Sequence, residues 1–92
     1  MVPMVRVTFT ANLQRHLACP PVEVAGATVR QSLEGVFAAN PKLRGYVLDE
    51  HGALRQHMAI FVDGVPILDR KGLGDEVGPE AQIFVMQALS GG

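Results

Sequence analysis

One segment of helical periodicity, flanked on both sides by strand-like segments, constrains the fold of this chain most strongly. Within residues 29–39, four apolar residues recur at the spacing of one helix face, namely Val29, Leu33, Val36 and Phe37. Alternation and strand-favouring residues predict strands at 4–10, 22–26, 58–62 and 82–88. One helix among several strands in one short chain is an α+β pattern.

Local signals set the limits of the helix and of the segment after it. Thr28 is a favourable N-cap, Gln31 is placed to complete a capping box, and Asn40-Pro41 is a stop signal. After the helix, residues 45–49 are predicted to form a short strand, followed by a polar turn at 49–52.

A hairpin is predicted after the strand at 58–62. Asp63-Gly64 favours the tight turn, because such turns need residues with positive φ. Pro66 cannot donate a ladder hydrogen bond, so the returning strand is expected at a sheet edge, as is the strand at 22–26 that follows two prolines. Leu73 and Val77 are expected to tie the next loop to the core.

Length, charge and cysteine content exclude several classes of protein. A chain of 92 residues forms one domain, and a single Cys excludes a disulfide-stapled scaffold. The formal charge of -1 lacks the positive excess that favours nucleic acid or an anionic membrane. The N-terminal residues show no signal peptide and no apolar run is long enough to span a bilayer, so we expect a cytoplasmic protein.

The sequence ends in Leu89-Ser90-Gly91-Gly92 directly after the last predicted strand. This ending, together with the helix between strands and the segment Gly74-Asp75-Glu76-Val77, resembles the MoaD/ThiS family of sulfur carriers, relatives of ubiquitin. The resemblance implies a β-grasp domain over residues 1–88 and a flexible tail over 89–92. Its sheet would be mixed, with four to five strands and one main helix on one face.

The resemblance also implies a chemistry. A partner enzyme would use ATP to adenylate the carboxylate of Gly92, and sulfur would then displace AMP to leave a thiocarboxylate. The carrier would then donate this sulfur to a synthase in molybdopterin, thiamine or cysteine biosynthesis. In that role the carrier would be a substrate of the activating enzyme or the small subunit of a synthase complex. It would bind no cofactor and no metal. Gly91 lets the tail thread a narrow active site because it lacks a Cβ, and Ser90 and Leu89 would thread with it.

Both faces of the later strands are apolar, which raises the question of a partner surface. Phe61 has the opposite parity to Ile60, and Phe84 and Met86 have the opposite parity to Ile83. If the helix covers only one face, Phe61, Phe84 and Met86 form a partner-binding patch, unless the segment 42–57 covers them.

The remaining candidates give weaker signals. The histidines and the cysteine do not fall at a metal-site spacing: His16, His51, His57 and Cys19. The basic residues are spread along the chain and are expected to be solvated, although Arg70-Lys71 could contact an acidic partner. Two other functions remain open, a protein modifier joined through Gly92 to target lysines and an interaction module in which the glycines are passive.

Overall fold

The computed structural model describes residues 4–9 and 21–87, which form a five-stranded sheet and two helices. The strands are β1 (Met4–Phe9), β2 (Val22–Ala25), β3 (Met58–Val62), β4 (Val65–Pro66) and β5 (Gln82–Gln87). The helices are α1 (Val29–Ala39) and α2 (Pro41–Val47). The strands predicted at 4–10, 22–26, 58–62 and 82–88 and the main helix are therefore confirmed within the described residues.

The sheet is mixed, with strand order β2-β1-β5-β3-β4. β5 pairs parallel with β1 and antiparallel with β3, so the last strand of the chain lies in the middle of the sheet. β2 and β4 are the two edges, as the proline signals predicted. The turn between β3 and β4 has φ of 50° at Asp63 and 86° at Gly64, the paired positive values that a tight hairpin needs.

The capping of α1 agrees with the sequence in part. The Thr28 Oγ1 accepts a hydrogen bond of 3.2 Å from the Gln31 N–H, as an N-cap should. The Gln31 side chain reaches one residue further than a capping box requires, and its Oε1 accepts from the Ala27 N–H at 2.9 Å. Both interactions satisfy backbone donors at the start of the helix.

The short strand predicted at 45–49 is wrong, because residues 41–47 form α2. Pro41 fits the first turn of a helix as well as it ends the preceding one, so one signal stops α1 and starts α2. Leu43 and Val47 lie four residues apart on the same face of α2 and are both buried. The polar turn at 49–52 is confirmed, and the Asp49 carboxylate accepts hydrogen bonds from the backbone there.

The core lies between α1 and the face of the sheet that α1 covers, here called the inner face. Alternate residues of the three central strands contribute to it: Val5, Val7, Phe9, Met58, Ile60, Ile83 and Val85. Leu43, Val47, Leu48 and Leu54 extend the same core, so the segment 42–57 packs its apolar side chains there. Leu73 and Val77 are buried as predicted. None of the helices in the described residues is long and apolar enough to cross a membrane.

Replacing Thr28 with Ala should lower the free energy of unfolding by about 1 kcal/mol, because the Gln31 N–H then loses its capping oxygen. Urea denaturation measures this change. Thr28→Ser is the matched control, since it keeps the hydroxyl, and it should recover most of the loss. Equal destabilisation by both variants would contradict a capping role.

Candidate functional site

An apolar patch lies on the outer face of the sheet, the face opposite α1. Phe61 and Phe84 are register partners across β3 and β5, and Ala59 and Met86 form the next pair on the same face. All four side chains are half-buried. We call these four residues the outer patch. It brings together the three residues that the sequence indicated as partner-binding, and that role stays a prediction.

Side chains of different polarity divide the outer face into two halves. Thr8 lies beside Phe84 on β1, whereas the next outer-face pair toward the start of β5 is Arg6 and Gln82. Arg6 is in turn the register partner of Glu23 on β2. The polar half is therefore near the start of β5, and the outer patch is near its end.

The end of β5 determines where the chain leaves the sheet. Gln87 is the last residue of β5 and is the register partner of Met58, the first residue of β3. Residues 89–92, which include the predicted threading residues Leu89, Ser90 and Gly91 and the predicted reactive residue Gly92, lie outside the described residues. The outer patch thus lies toward the end of β5, and residues 88–92 come next in the sequence.

Two arginines lie beside this exit. Arg70 Nη2 donates hydrogen bonds to the carbonyl oxygens of Arg55 at 2.9 Å and Met58 at 2.8 Å. Arg55 Nε donates to the carbonyl oxygen of Gly45 at 2.8 Å. No sequence pattern indicated that these two arginines meet, because they are fifteen positions apart. Only the folded loops bring them to the same end of the sheet.

The loop that carries Arg70 is held by a carboxylate. Asp69 accepts hydrogen bonds from the N–H groups of Gly72 at 2.8 Å, Gly74 at 3.1 Å and Lys71 at 3.2 Å. These bonds, first those from Gly72 and Gly74, lower the pKa of the Asp69 carboxyl below its ordinary value. From the other side, Arg30 Nε donates to the Gly72 carbonyl oxygen at 2.6 Å. Hydrogen bonds from these two side chains to the backbone of the loop therefore hold the loop from both sides.

The histidines within the described residues, His51 and His57, do not belong to a metal site. Over residues 4–9 and 21–87, no group of three His, Cys, Asp or Glu side chains is placed to hold a metal ion. His51 lies beside Glu50, with 3.6 Å between Nε2 and Oε1, and both side chains are strongly exposed. The predicted candidates His16 and Cys19 lie outside the described residues.

Several solved structures share this architecture. SAMP1 from Haloferax volcanii superposes with a TM-score of 0.81 at 23% identity, covering 97% of this chain and 99% of that one. SAMP1 from Methanosarcina acetivorans, a small archaeal modifier protein, gives 0.80 at 21% identity over 100% and 99%. The Amycolatopsis orientalis BexX/CysO complex gives 0.80 at 24% identity over 96% and 99%.

This chain has the β-grasp fold. The near-complete coverage of both chains in each comparison shows that the likeness extends over the whole domain. No protein-family model matches the sequence, and no curated protein matches it either. The β-grasp domain predicted from the resemblance is therefore confirmed by structure, where sequence comparison finds no relative.

Replacing Asp69 with Asn should destabilise the protein at neutral pH, because the charged acceptor of three backbone N–H groups is lost. The lowered pKa means that this stabilisation is present above the ordinary Asp value of about 3.9 and is lost as pH falls through the lower folded value. Urea denaturation at neutral pH and near pH 2 compares the wild type with Asp69→Asn, and the difference should shrink in acid. A difference independent of pH would contradict this account.

Proposed function

We propose that this protein is a ubiquitin-like sulfur carrier that is adenylated and then thiocarboxylated at Gly92. The observation that carries the proposal is the combination of a β-grasp fold with a Gly-Gly sequence that follows its central strand. Five residues, 88–92, follow the end of β5, and Gly92 is the last of them. They span up to ~17 Å when extended, enough to enter a deep active site.

The proposed chemistry needs an activated carboxylate. At neutral pH the Gly92 carboxylate is ionised, because the α-carboxyl pKa is about 3.5, and it does not react with nucleophiles. A partner enzyme joins it to the α-phosphate of ATP and releases pyrophosphate. Sulfide then attacks the acyl carbon and displaces AMP, which leaves the thiocarboxylate. Because the reaction consumes ATP, we place it in the cytoplasm.

The carrier contributes recognition, and the partner contributes catalysis. The outer patch offers an apolar contact surface on the half of the sheet from which the tail follows, so one partner can bind the patch and the tail together. A comparison supports a protein partner of this kind, since the similar CysO was solved in a complex with BexX. The proposed partners are an adenylating sulfurtransferase and a sulfur-accepting synthase of molybdopterin, thiamine or cysteine biosynthesis.

A second candidate function is protein modification through an isopeptide bond from Gly92 to target lysines. The observation that favours it is the similarity to the small archaeal modifier proteins. Both functions begin with the same activation, so only the product separates them. Conjugates of higher mass that resist reduction, seen on a blot of cells expressing the tagged protein, would support the modifier.

Incubation with ATP, sulfide and the host's activating enzyme should convert Gly92 to a thiocarboxylate, adding ~16 Da to the C-terminal peptide. Peptide mass spectrometry after thiol alkylation separates this product from oxidised Met86. Deletion of Gly92 should abolish the change, because the reactive carboxylate then lies one residue short. An intact mass first establishes that the mature chain ends at Gly92.

The control for this experiment is a second glycine far from the tail. Gly78→Ala adds a methyl group whose Cβ has no atom within 4 Å other than those of its chain neighbours, and Gly78 precedes the start of β5, at the other end of that strand from the tail. This variant should be charged like the wild type. Gly91→Ala adds the same methyl group in the tail and should slow charging. Full charging of the Gly92 deletion would contradict the proposed function.

Replacing Phe84 with Ala should raise the carrier's KM for the activating enzyme about 10-fold, because aromatic residues dominate the energy of such interfaces. The pyrophosphate exchange rate at varied carrier concentration measures it. Met86→Ala is a second variant in the outer patch that removes a smaller side chain, for use if Phe84→Ala does not fold. Leu68→Ala is the matched apolar control, since Leu68 is 92% exposed and lies outside the outer patch. Equal KM values for wild type and both patch variants would refute this role.

A further inference from the structure

We infer that Arg55 and Arg70 form a cationic docking site at the base of the tail, which contacts acidic side chains of the enzyme that takes the tail. The inference rests on the proposed function and specifies how the partner recognises this end of the sheet. Three observations carry it: the fixed geometry of the two arginines, the lack of an ion-pair partner for either of them within the described residues, and the carboxylates at the far end of β5.

Backbone carbonyls fix both guanidinium groups. Arg70 Nη2 binds the carbonyl oxygens of Arg55 and Met58, and Met58 is the register partner of Gln87 at the end of β5. Arg55 Nε binds the Gly45 carbonyl oxygen. Carbonyl oxygens orient a guanidinium without cancelling its charge, and each group keeps further N–H donors for a carboxylate. The site is therefore oriented before a partner arrives.

Asp49 interacts electrostatically with Arg55 at longer range, but neither Arg55 nor Arg70 forms an ion pair within the described part of the chain. There, the ion pairs are Arg30 with Glu34 at 3.7 Å and Glu50 with His51 at 3.6 Å, and neither involves Arg55 or Arg70. Arg70 is exposed and Arg55 is half-buried, so both reach the surface. Arg70 thus carries a positive charge without an ion-pair partner beside the end of β5, and Arg55 adds a second positive charge that Asp49 offsets in part.

Carboxylates lie at the opposite end of β5. The Asp63 carboxylate accepts a hydrogen bond of 2.9 Å from the Gln82 N–H at the first residue of the strand, and Glu80 is exposed two positions earlier. Arg6 is the register partner of Gln82, so this end carries charges of both signs. β5 is about 17 Å long, so the end with Arg55 and Arg70 is well separated from it. A partner with acidic groups around its tail channel would attract the end with Arg55 and Arg70 more strongly than the end of mixed charge, which orients the carrier tail first.

Gln56 offers a test that leaves the two arginines intact. It is exposed, and it follows the Arg55 carbonyl that Arg70 binds. Gln56→Lys should lower the carrier's KM for the activating enzyme about 2- to 5-fold at low salt, and Gln56→Glu should raise it by a similar factor, with kcat unchanged. Both effects should disappear at about 0.5 M salt, where exposed charges are screened.

Glu80→Gln is the matched control, because it raises the net charge by one, as Gln56→Lys does, but beyond the opposite end of β5. Its KM should change much less than that of Gln56→Lys. Equal effects of the two variants, no effect of Gln56 charge, or the opposite sign would each overturn the docking site while wild-type adenylation upholds the proposed function. Failure of the wild-type protein to be adenylated would overturn both.

Discussion

The placement of β5 between β1 and β3 is the constraint on which the rest of the structure depends. Hydrogen bonds on both sides hold this strand, and its inner-face residues Ile83 and Val85 are fully buried. A central strand buried on one face is the part of a small sheet least free to shift in register. The core therefore fixes the point at which the chain leaves the sheet, at the end of β5. The tail follows from that point in the sequence.

This arrangement separates the tasks of the two faces. The inner face carries the apolar residues that α1 and the segment 42–57 cover, and it supplies stability. Neither helix of residues 4–9 and 21–87 covers the outer face, and within these residues Phe61, Phe84 and Met86 are partly accessible near the end of β5. One strand thus stabilises the domain through alternate residues and presents a contact surface through the others.

The loops around the exit are ordered mainly by side chains bonded to the backbone. Asp69 gathers three N–H groups, while Arg30, Arg55 and Arg70 donate to carbonyl oxygens of neighbouring loops. In a chain with little regular structure between α2 and β3, such bonds satisfy backbone groups that no sheet or helix would satisfy. The same bonds bring Arg55 and Arg70 together, so the basic site is a consequence of how the loops are held.

The sequence by itself determined the limits of α1, the alternation of the strands, the hairpin at Asp63-Gly64 and the Gly-Gly ending, because these depend on local spacing and backbone preference. The strand predicted at 45–49 was wrong. β-branched and aromatic residues suggested a strand there, but Pro41 and the buried residues Leu43 and Val47 belong to the helix α2. Only the tertiary structure decided the strand order, the position of the outer patch at the tail end of β5 and the pairing of Arg55 with Arg70. These features join residues far apart in the chain, and they arise when the apolar faces of α1 and the sheet pack together.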